Sequence, residues 1–437
     1  LDGLKVAEGG KILPTFMRSR LANGINLFIH PTVKFKTILV QLIFHRALKE
    51  DDVTESSLLP SVLQRGSGNY PNRMAIANRL EELYGTELMS GVTKKGERLM
   101  VTFTLDLVHD QYLPGESSLL KKALEVLSDV VTNPVLAGES FKEDYVSQEK
   151  EQHEKLIKGL INDKIAYSVE RCLQHMCEHE PFGVFKFGSV ERLKAIDGPA
   201  LYHYYRDFLR ESRADLHISG DVDAAAVSAL AQQVFGFERG EEAALAATTV
   251  QKKMGDVRYV KEELDVSQGK LVLGYRTRVT YADDDYFPLL VYNGILGSFP
   301  HSKLFQNVRE KASLAYYTYS RLEKHKGLML ISSGIEVNNY EKALEIINQQ
   351  LSDMTQGDFT KEDLENTRSG LRNQFLVEED SQGSVINRVL DGMMVGREEN
   401  TAELLNRLAA VTREDVARVA ANVYLDTVYF LTKRGGA

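Results

Sequence analysis

Residues 293–320 read NGILGSFPHSKLFQNVREKASLAYYTYS, from Asn293 to Ser320. Gly294 and Gly297 open the stretch, a helical run over 302–311 carries Arg309, and a Tyr-rich segment with strand character carries Tyr316. The glycines make no phosphate loop, because no Gly-Lys-Ser/Thr follows at the required spacing. Arg309 and Tyr316 are seven residues apart, with the helix end between them. A guanidinium offers forked donors to a peptide carbonyl, and a phenol can donate to a developing oxyanion. Taken alone, an Arg near a Tyr is usually a surface stack.

Outward from this stretch, the pattern on the C-terminal side predicts a strand over 327–335. Helices are predicted over 339–354, 361–378, 381–397 and 412–423, and a last strand over 427–432. Before it come strands within 257–279 and a helix over 286–296. The first half predicts strands over 15–48, with an Asn23-Gly24 hairpin turn and a buried β-branched strand over 37–47. Helices follow over 54–63, where Pro60 kinks or ends the run, and over 72–84, stopped by Gly85. Next are a hairpin over 86–106 and helices over 117–131 and 191–209. One long charged helix is predicted over 141–179, stopped by Pro181 and Gly183, and a strand over 214–219.

Residues 192–209 (RLKAIDGPALYHYYRDFL) and 407–424 (RLAAVTREDVARVAANVY) align at an offset of 215, that is 407 minus 192. Arg192 matches Arg407, Leu193 matches Leu408 and Ala195 matches Ala410. Asp197 and Thr412 are both suited to cap the helix that follows. An offset close to half the chain length points to two tandem domains of similar α+β fold, each an antiparallel-rich sheet packed with helices. Residues 240–257, small and charged without a clear period, read as the linker between domains 1–239 and 258–437.

The 437 residues exceed what one hydrophobic core holds. A net charge of −9 argues against a nucleic-acid binder. No apolar run approaches the length of a membrane span, and the N-terminal residues lack the basic-then-apolar pattern of a signal peptide. The two cysteines, Cys172 and Cys177, are five apart on one predicted helix, unsuited to a bridge. Sparse cysteine fits a reducing compartment, so a cytoplasmic protein is expected.

One metal motif occurs literally. His175-Met-Cys-Glu-His179 is an H-x-x-E-H, in which helical i and i+4 imidazoles share a face and Glu178 could polarise a bound water. It sits at a helix end, runs directly into Pro181, and lacks an identifiable third ligand. The remaining histidines are scattered singly.

The central stretch resembles the second-domain signature of the insulinase-type zinc peptidases, the family of pitrilysin and mitochondrial processing peptidase. Ser302, Leu304, Phe305, Val308, Arg309, Glu310, Lys311, Leu314, Ala315 and Tyr316 carry the likeness. The Asn23-Gly24 hairpin, Arg65-Gly66-Ser67 and the Pro181-Phe182-Gly183 turn extend it. In that family the zinc motif is an H-x-x-E-H shortly before the Arg-Gly-Ser position. Here the aligned residues are Ser57, Leu58, Leu59, Pro60 and Ser61, so both histidines and the general base are replaced, and the distal ligand falls near Lys155. The resemblance implies no metal in this chain, with Arg309 and Tyr316 retained for an extended peptide substrate. It further implies a chamber completed by a partner, either a homologous zinc-bearing chain in a heterodimer or a second copy in a homodimer. A non-catalytic binding or structural homologue, and a zinc peptidase built on His175, Glu178 and His179, are the alternatives.

Overall fold

The computed structural model describes residues 16–115, 118–251 and 255–435. The reading of the N-terminal leader, Ser117 and part of the 240–257 linker reading lie outside them. The chain divides into two compact units, Leu1–Lys94 with Arg98–Ile157 and Lys186–Ala246, and Lys95–Glu97 with Lys158–Phe185 and Ala247–Ala437.

In the first unit the Asn23-Gly24 turn forms as its sequence predicts. Gly24 adopts φ +91°, in the left-handed region that glycine tolerates. It joins β1 (Met17–Arg20) antiparallel to β2 (Asn26–Pro31), with Arg20 opposite Asn26. With β3 (Thr37–Ala47), β4 (Glu87–Lys95), β5 (Arg98–Val108) and β6 (Arg213–Gly220), these strands form a sheet ordered β1-β2-β6-β3-β5-β4. The late strand β6 inserts between β2 and β3, parallel to the former and antiparallel to the latter. Helices Val53–Leu63 and Leu119–Thr132 pack on β5, and Ala224–Val234 packs on β2.

The second unit repeats this arrangement. Strands β7 (Arg258–Leu264), β8 (Gly269–Arg276), β9 (Ala315–Glu323), β10 (Leu328–Ile335) and β11 (Tyr424–Lys433) are ordered β7-β11-β8-β10-β9. Again the last strand inserts between two early ones, β11 running parallel to β7 and antiparallel to β8. The sheets are therefore mixed, each with one parallel pair. The sequence repeat maps onto equivalent helix pairs: Val190–Ala195 then Gly198–Glu211, and Thr401–Ala410 then Arg413–Ala420. Asp197 accepts the Ala200 N–H at 2.8 Å, and Thr412 accepts the Asp415 N–H at 3.2 Å. The repeat read from the sequence is a repeat of topology as well.

Both faces of the second sheet are covered. Leu271, Leu273 and Tyr275 of β8 face one core with Met329, Ile331, Val428 and Phe430. The alternating Val272 turns to the other face with Leu330, Tyr429 and Leu431, against Val169, Cys172, Leu173 and Met176 of the Lys164–Met176 helix. Two-sided burial explains why these strands are apolar at consecutive positions. Gly274 lies under that helix, where a Cβ would stand 2.8 Å from Met176 Sδ.

The structure corrects several elements. The single helix expected over 141–179 is two, Glu143–Gly159 and Lys164–Met176, separated by a 3₁₀ turn. Asp163 causes the restart by accepting the N–H groups of Ile165 and Ala166 at 3.1 and 3.0 Å. The helix expected over 191–209 breaks at Ile196, where Asp197 caps anew. Helices Ala224–Val234 and Thr401–Ala410 have no counterpart in the sequence reading.

Candidate functional site

The resemblance places the metal motif on the Val53–Leu63 helix, whose residues are buried save Ser61. Three of its polar side chains are engaged internally. Thr54 accepts the Ser189 N–H at 3.3 Å, Glu55 pairs with Arg192 at 2.5 Å, and Ser56 shares a hydrogen bond with Tyr204. Ser57 is buried, Ser61 is partly exposed, and Pro60 lies within the helix, which continues for one more residue pair beyond Ser61. Zinc takes imidazole, thiolate or carboxylate donors; Ser57, Pro60 and Ser61 offer none, so these residues do not fit the ion. Lys155, the implied distal position, is exposed on the Glu143–Gly159 helix. The buried carboxylate of that helix is Glu149, which is held by Arg65 Nε at 2.5 Å.

His175, Glu178 and His179 do not assemble either. The helix ends at Met176, so His179 lies past its last turn and is exposed. Glu178 is tied to Arg258 at 2.6 Å, which holds its carboxyl below the usual range. His175 stacks on Tyr429 at 6.3 Å and faces Arg171 at 3.2 Å; burial and these cations lower its pKa. Among the described residues, no group of three or more His, Cys, Asp or Glu side chains is placed to hold a metal ion.

The central stretch is organised differently. The Tyr286–Asn293 helix passes without a break into a π-helical turn, Gly294–Ser298. Gly294 and Gly297 are buried in that turn rather than in an open loop. A Cβ on Gly297 would lie 2.5 Å from Ser320 Oγ and 2.7 Å from Ser320 N; one on Gly294 would lie 2.4 Å from Thr367 Cγ2. Both glycines therefore allow backbone to approach its neighbours closely. Hydrogen bonds from Asn293 Nδ2 to Ser298 Oγ (2.6 Å) and from Ser298 Oγ to the Ser320 carbonyl (3.2 Å) fasten the turn to β9.

The helix expected over 302–311 has π geometry from Phe305 to Lys311, a departure frequent at functional sites. Arg309 projects from it with its side chain 43% exposed, the guanidinium lying 4.6 Å over Phe305 and 3.7 Å from Glu310. Ser313, at φ +52°, turns the chain into the edge strand β9. There Ala315 pairs with Ile335 and Tyr317 with the adjacent Gly334, so Tyr316 is the extra residue of a β-bulge. Bulges re-aim side chains, and Tyr316 stands 59% exposed while Tyr317 is partly buried. Tyr316 borders a groove of about 390 Å³ with Ser267, Gln268, Glu336, Asn338 and Lys433. The sequence reading missed this bulge. Its one signal was Gly334 in an apolar strand, where a Cβ would meet the Tyr317 ring at 2.4 Å.

This two-sheet architecture and its signature are those of the M16 (insulinase-like) peptidase family, and the chain belongs to it. The family description Peptidase M16 inactive domain matches residues 195–371. Over 414 residues the chain is 38% identical to the Probable inactive metalloprotease YmfF of Bacillus subtilis, covering 95% of this chain and 97% of that one. A conserved protein from Enterococcus faecalis V583, known as a crystal structure, matches with a TM-score of 0.90 at 30% identity, covering 97% and 99% of the two chains. The Probable mitochondrial-processing peptidase subunit beta of Schizosaccharomyces pombe is 22% identical over 338 residues, 72% of this chain and 70% of that one.

Proposed function

We propose that this chain is the zinc-less, substrate-binding subunit of a two-chain metallopeptidase acting on extended peptides. Its partner is a homologous chain that carries the zinc. The observation that carries this reading is an asymmetry: the motif positions Ser57, Pro60 and Ser61 have no ligand to offer, whereas Arg309 and Tyr316 both face solvent, Tyr316 through its bulge. Arg309 donates to a substrate carbonyl, and the Tyr316 hydroxyl donates to the oxyanion as the carbonyl carbon becomes tetrahedral. The peptide adds as a strand along a sheet edge. The relative named as an inactive metalloprotease and the one named as a peptidase subunit support this division of labour. Two buried cysteines outside any disulfide fit a cytoplasmic assembly.

A second reading, a non-catalytic peptide-binding homologue, is favoured by Arg309 resting on Phe305 beside Glu310. The test is to mix the chain with a homologous chain bearing an intact H-x-x-E-H from the same genome and to follow peptide cleavage. Cleavage that appears only in the mixture and falls with Arg309→Ala or Tyr316→Phe supports the subunit reading. Cleavage indifferent to both substitutions replaces it with the second.

A further inference from the structure

The two sheets differ by one strand. β2 and β7 hold equivalent places, each running parallel to the strand inserted beside it, β6 or β11. On its outer edge β2 carries β1, paired antiparallel. β7 carries no such strand among the described residues and is an edge of the second sheet. An edge strand presents a row of N–H and C=O groups with which another chain can pair. Beside β7 lies a groove of about 480 Å³ whose lining includes Tyr259, Lys261, Val337, Tyr340 and Phe430. Tyr340 and Phe430 hold their rings 4.7 Å apart, whereas Tyr259 stands 66% exposed.

The charges along β7 decide what can pair with it. Val260 packs toward the core under the Lys164–Met176 helix. Arg258, Val260 and Glu262 therefore share that face, while Tyr259, Lys261 and Glu263 share the other, where the groove lies. Opposed residues of an antiparallel pair lie on one face. A second copy of β7, related by a two-fold axis, can thus pair in registers centred on Val260, Lys261 or Glu262. The second of these sets Lys261 against Lys261, and the third sets Glu262 against Glu262. The register centred on Val260 sets Arg258 against Glu262 and Tyr259 against Lys261, with Val260 on the axis. Opposite charges across a strand pair stabilise it and like charges oppose it. Charges that ordinarily keep edges apart here leave one register open. In it the exposed Tyr259 ring of each copy meets Lys261 of the other beside the groove, a favourable contact of ring and cation.

We propose that this edge binds a second copy of the chain: two β7 strands pair antiparallel about Val260, joining two five-stranded sheets into one across a two-fold axis. β9, which carries Tyr316, is the opposite edge of the same sheet. The inference therefore goes beyond the subunit reading, and neither depends on the other.

The test is sedimentation equilibrium of the full chain, followed by disulfide trapping. A short edge makes a weak dimer, with a midpoint expected on the order of 10–100 µM. Under mild oxidation Val260→Cys should cross-link to itself, because opposed Cα atoms of an antiparallel pair lie about 4.5–5.5 Å apart, within disulfide reach. Tyr259→Cys and Lys261→Cys should cross-link when mixed and neither when alone. Arg258→Glu, which sets like charges opposite Glu262, should weaken the dimer at least tenfold; circular dichroism checks that each variant is folded. A wild-type chain that stays monomeric throughout that range overturns the proposal. So does a dimer that withstands Arg258→Glu and gives no cross-link at Val260→Cys, since its interface lies elsewhere. Self-linking of Lys261→Cys overturns it as well, since β7 is then paired in another register.

Discussion

The Val53–Leu63 helix of the first unit and residues 293–320 of the second both hold small polar residues within an apolar setting, and they use them in opposite ways. On the helix, Thr54, Glu55 and Ser56 turn inward to Ser189, Arg192 and Tyr204. Around residues 293–320, Asn293, Ser298 and Ser320 fasten the turn, but Arg309 and Tyr316 are left outside with 43% and 59% exposure. Polar side chains bonded within the fold at these three positions make the first segment scaffold. Polar groups held outward by a π-helical turn and a bulge make the second a surface prepared to meet something else.

The largest expected effect sharpens this contrast directly. In the mixed peptidase assay, Arg309→Ala and Tyr316→Phe should each lower kcat by about 10²–10³-fold, the usual loss for one preorganised donor of roughly 3–4 kcal/mol. Ser61→Ala on the scaffold helix should leave the rate within about twofold, a change under roughly 0.5 kcal/mol. A large loss at Ser61 would break the comparison.

Acid should also separate the units. His217 is buried against Phe28, at a centroid distance of 4.6 Å, and burial lowers its pKa to about 4. Because the folded pKa lies below the unfolded value, the unfolded chain takes up the proton first as pH falls. The stability present above the ordinary histidine pKa of about 6.5 is lost progressively down to about 4, amounting to roughly 3 kcal/mol. His325 of the second unit is also lowered by burial, but Asp391 at 2.8 Å opposes the shift, so its acid sensitivity is smaller. Urea midpoints at pH 7 and 4.5 for the wild type, His217→Phe and His325→Phe should show the steeper slope disappearing only with the first substitution.

Next in size is close packing. Gly297→Ala places a methyl 2.5 Å from Ser320 Oγ and should cost about 2–3 kcal/mol, whereas Gly91→Ala on β4, with nothing within 4 Å, should cost under about 0.5 kcal/mol. Chemical denaturation of both variants reads the difference. The smallest effect tests the internal repeat: Asp197→Ala and Thr412→Ala each remove one cap and should each cost about 1 kcal/mol. Markedly unequal losses would mean that the equivalent helices no longer contribute alike.

Much of this was legible in the residues. Alternating and β-branched runs located β3 and the Asn23-Gly24 hairpin, and the spacing of Ser302 through Tyr316 carried the family. The insertion of β6 between β2 and β3 was not legible, because pairing joins residues nearly 200 positions apart and leaves no local mark. The break at Gly159–Asp163 was hidden by charges that continue a helical pattern across it; only the Asp163 cap reveals it. The placement of Arg309 and Tyr316 depends on π geometry and on one unpaired strand residue, and periodicity is too coarse to register either. The two serines and the proline on the motif helix were plain in the sequence, but the pairing of Arg65 with Glu149 required three dimensions.

The Lys164–Met176 helix has a further consequence for how this chain can be divided. It precedes the 240–257 segment in sequence, yet it covers Val272, Leu330, Tyr429 and Leu431 of the second sheet. A polypeptide cut at that segment and expressed from residue 258 onward would present this apolar face to water and should aggregate, whereas one supplied with residues 158–185 in trans should stay in solution. The sequence reads as two halves joined end to end, but the second half takes its covering helix from the first and cannot be harvested by cutting at the seam.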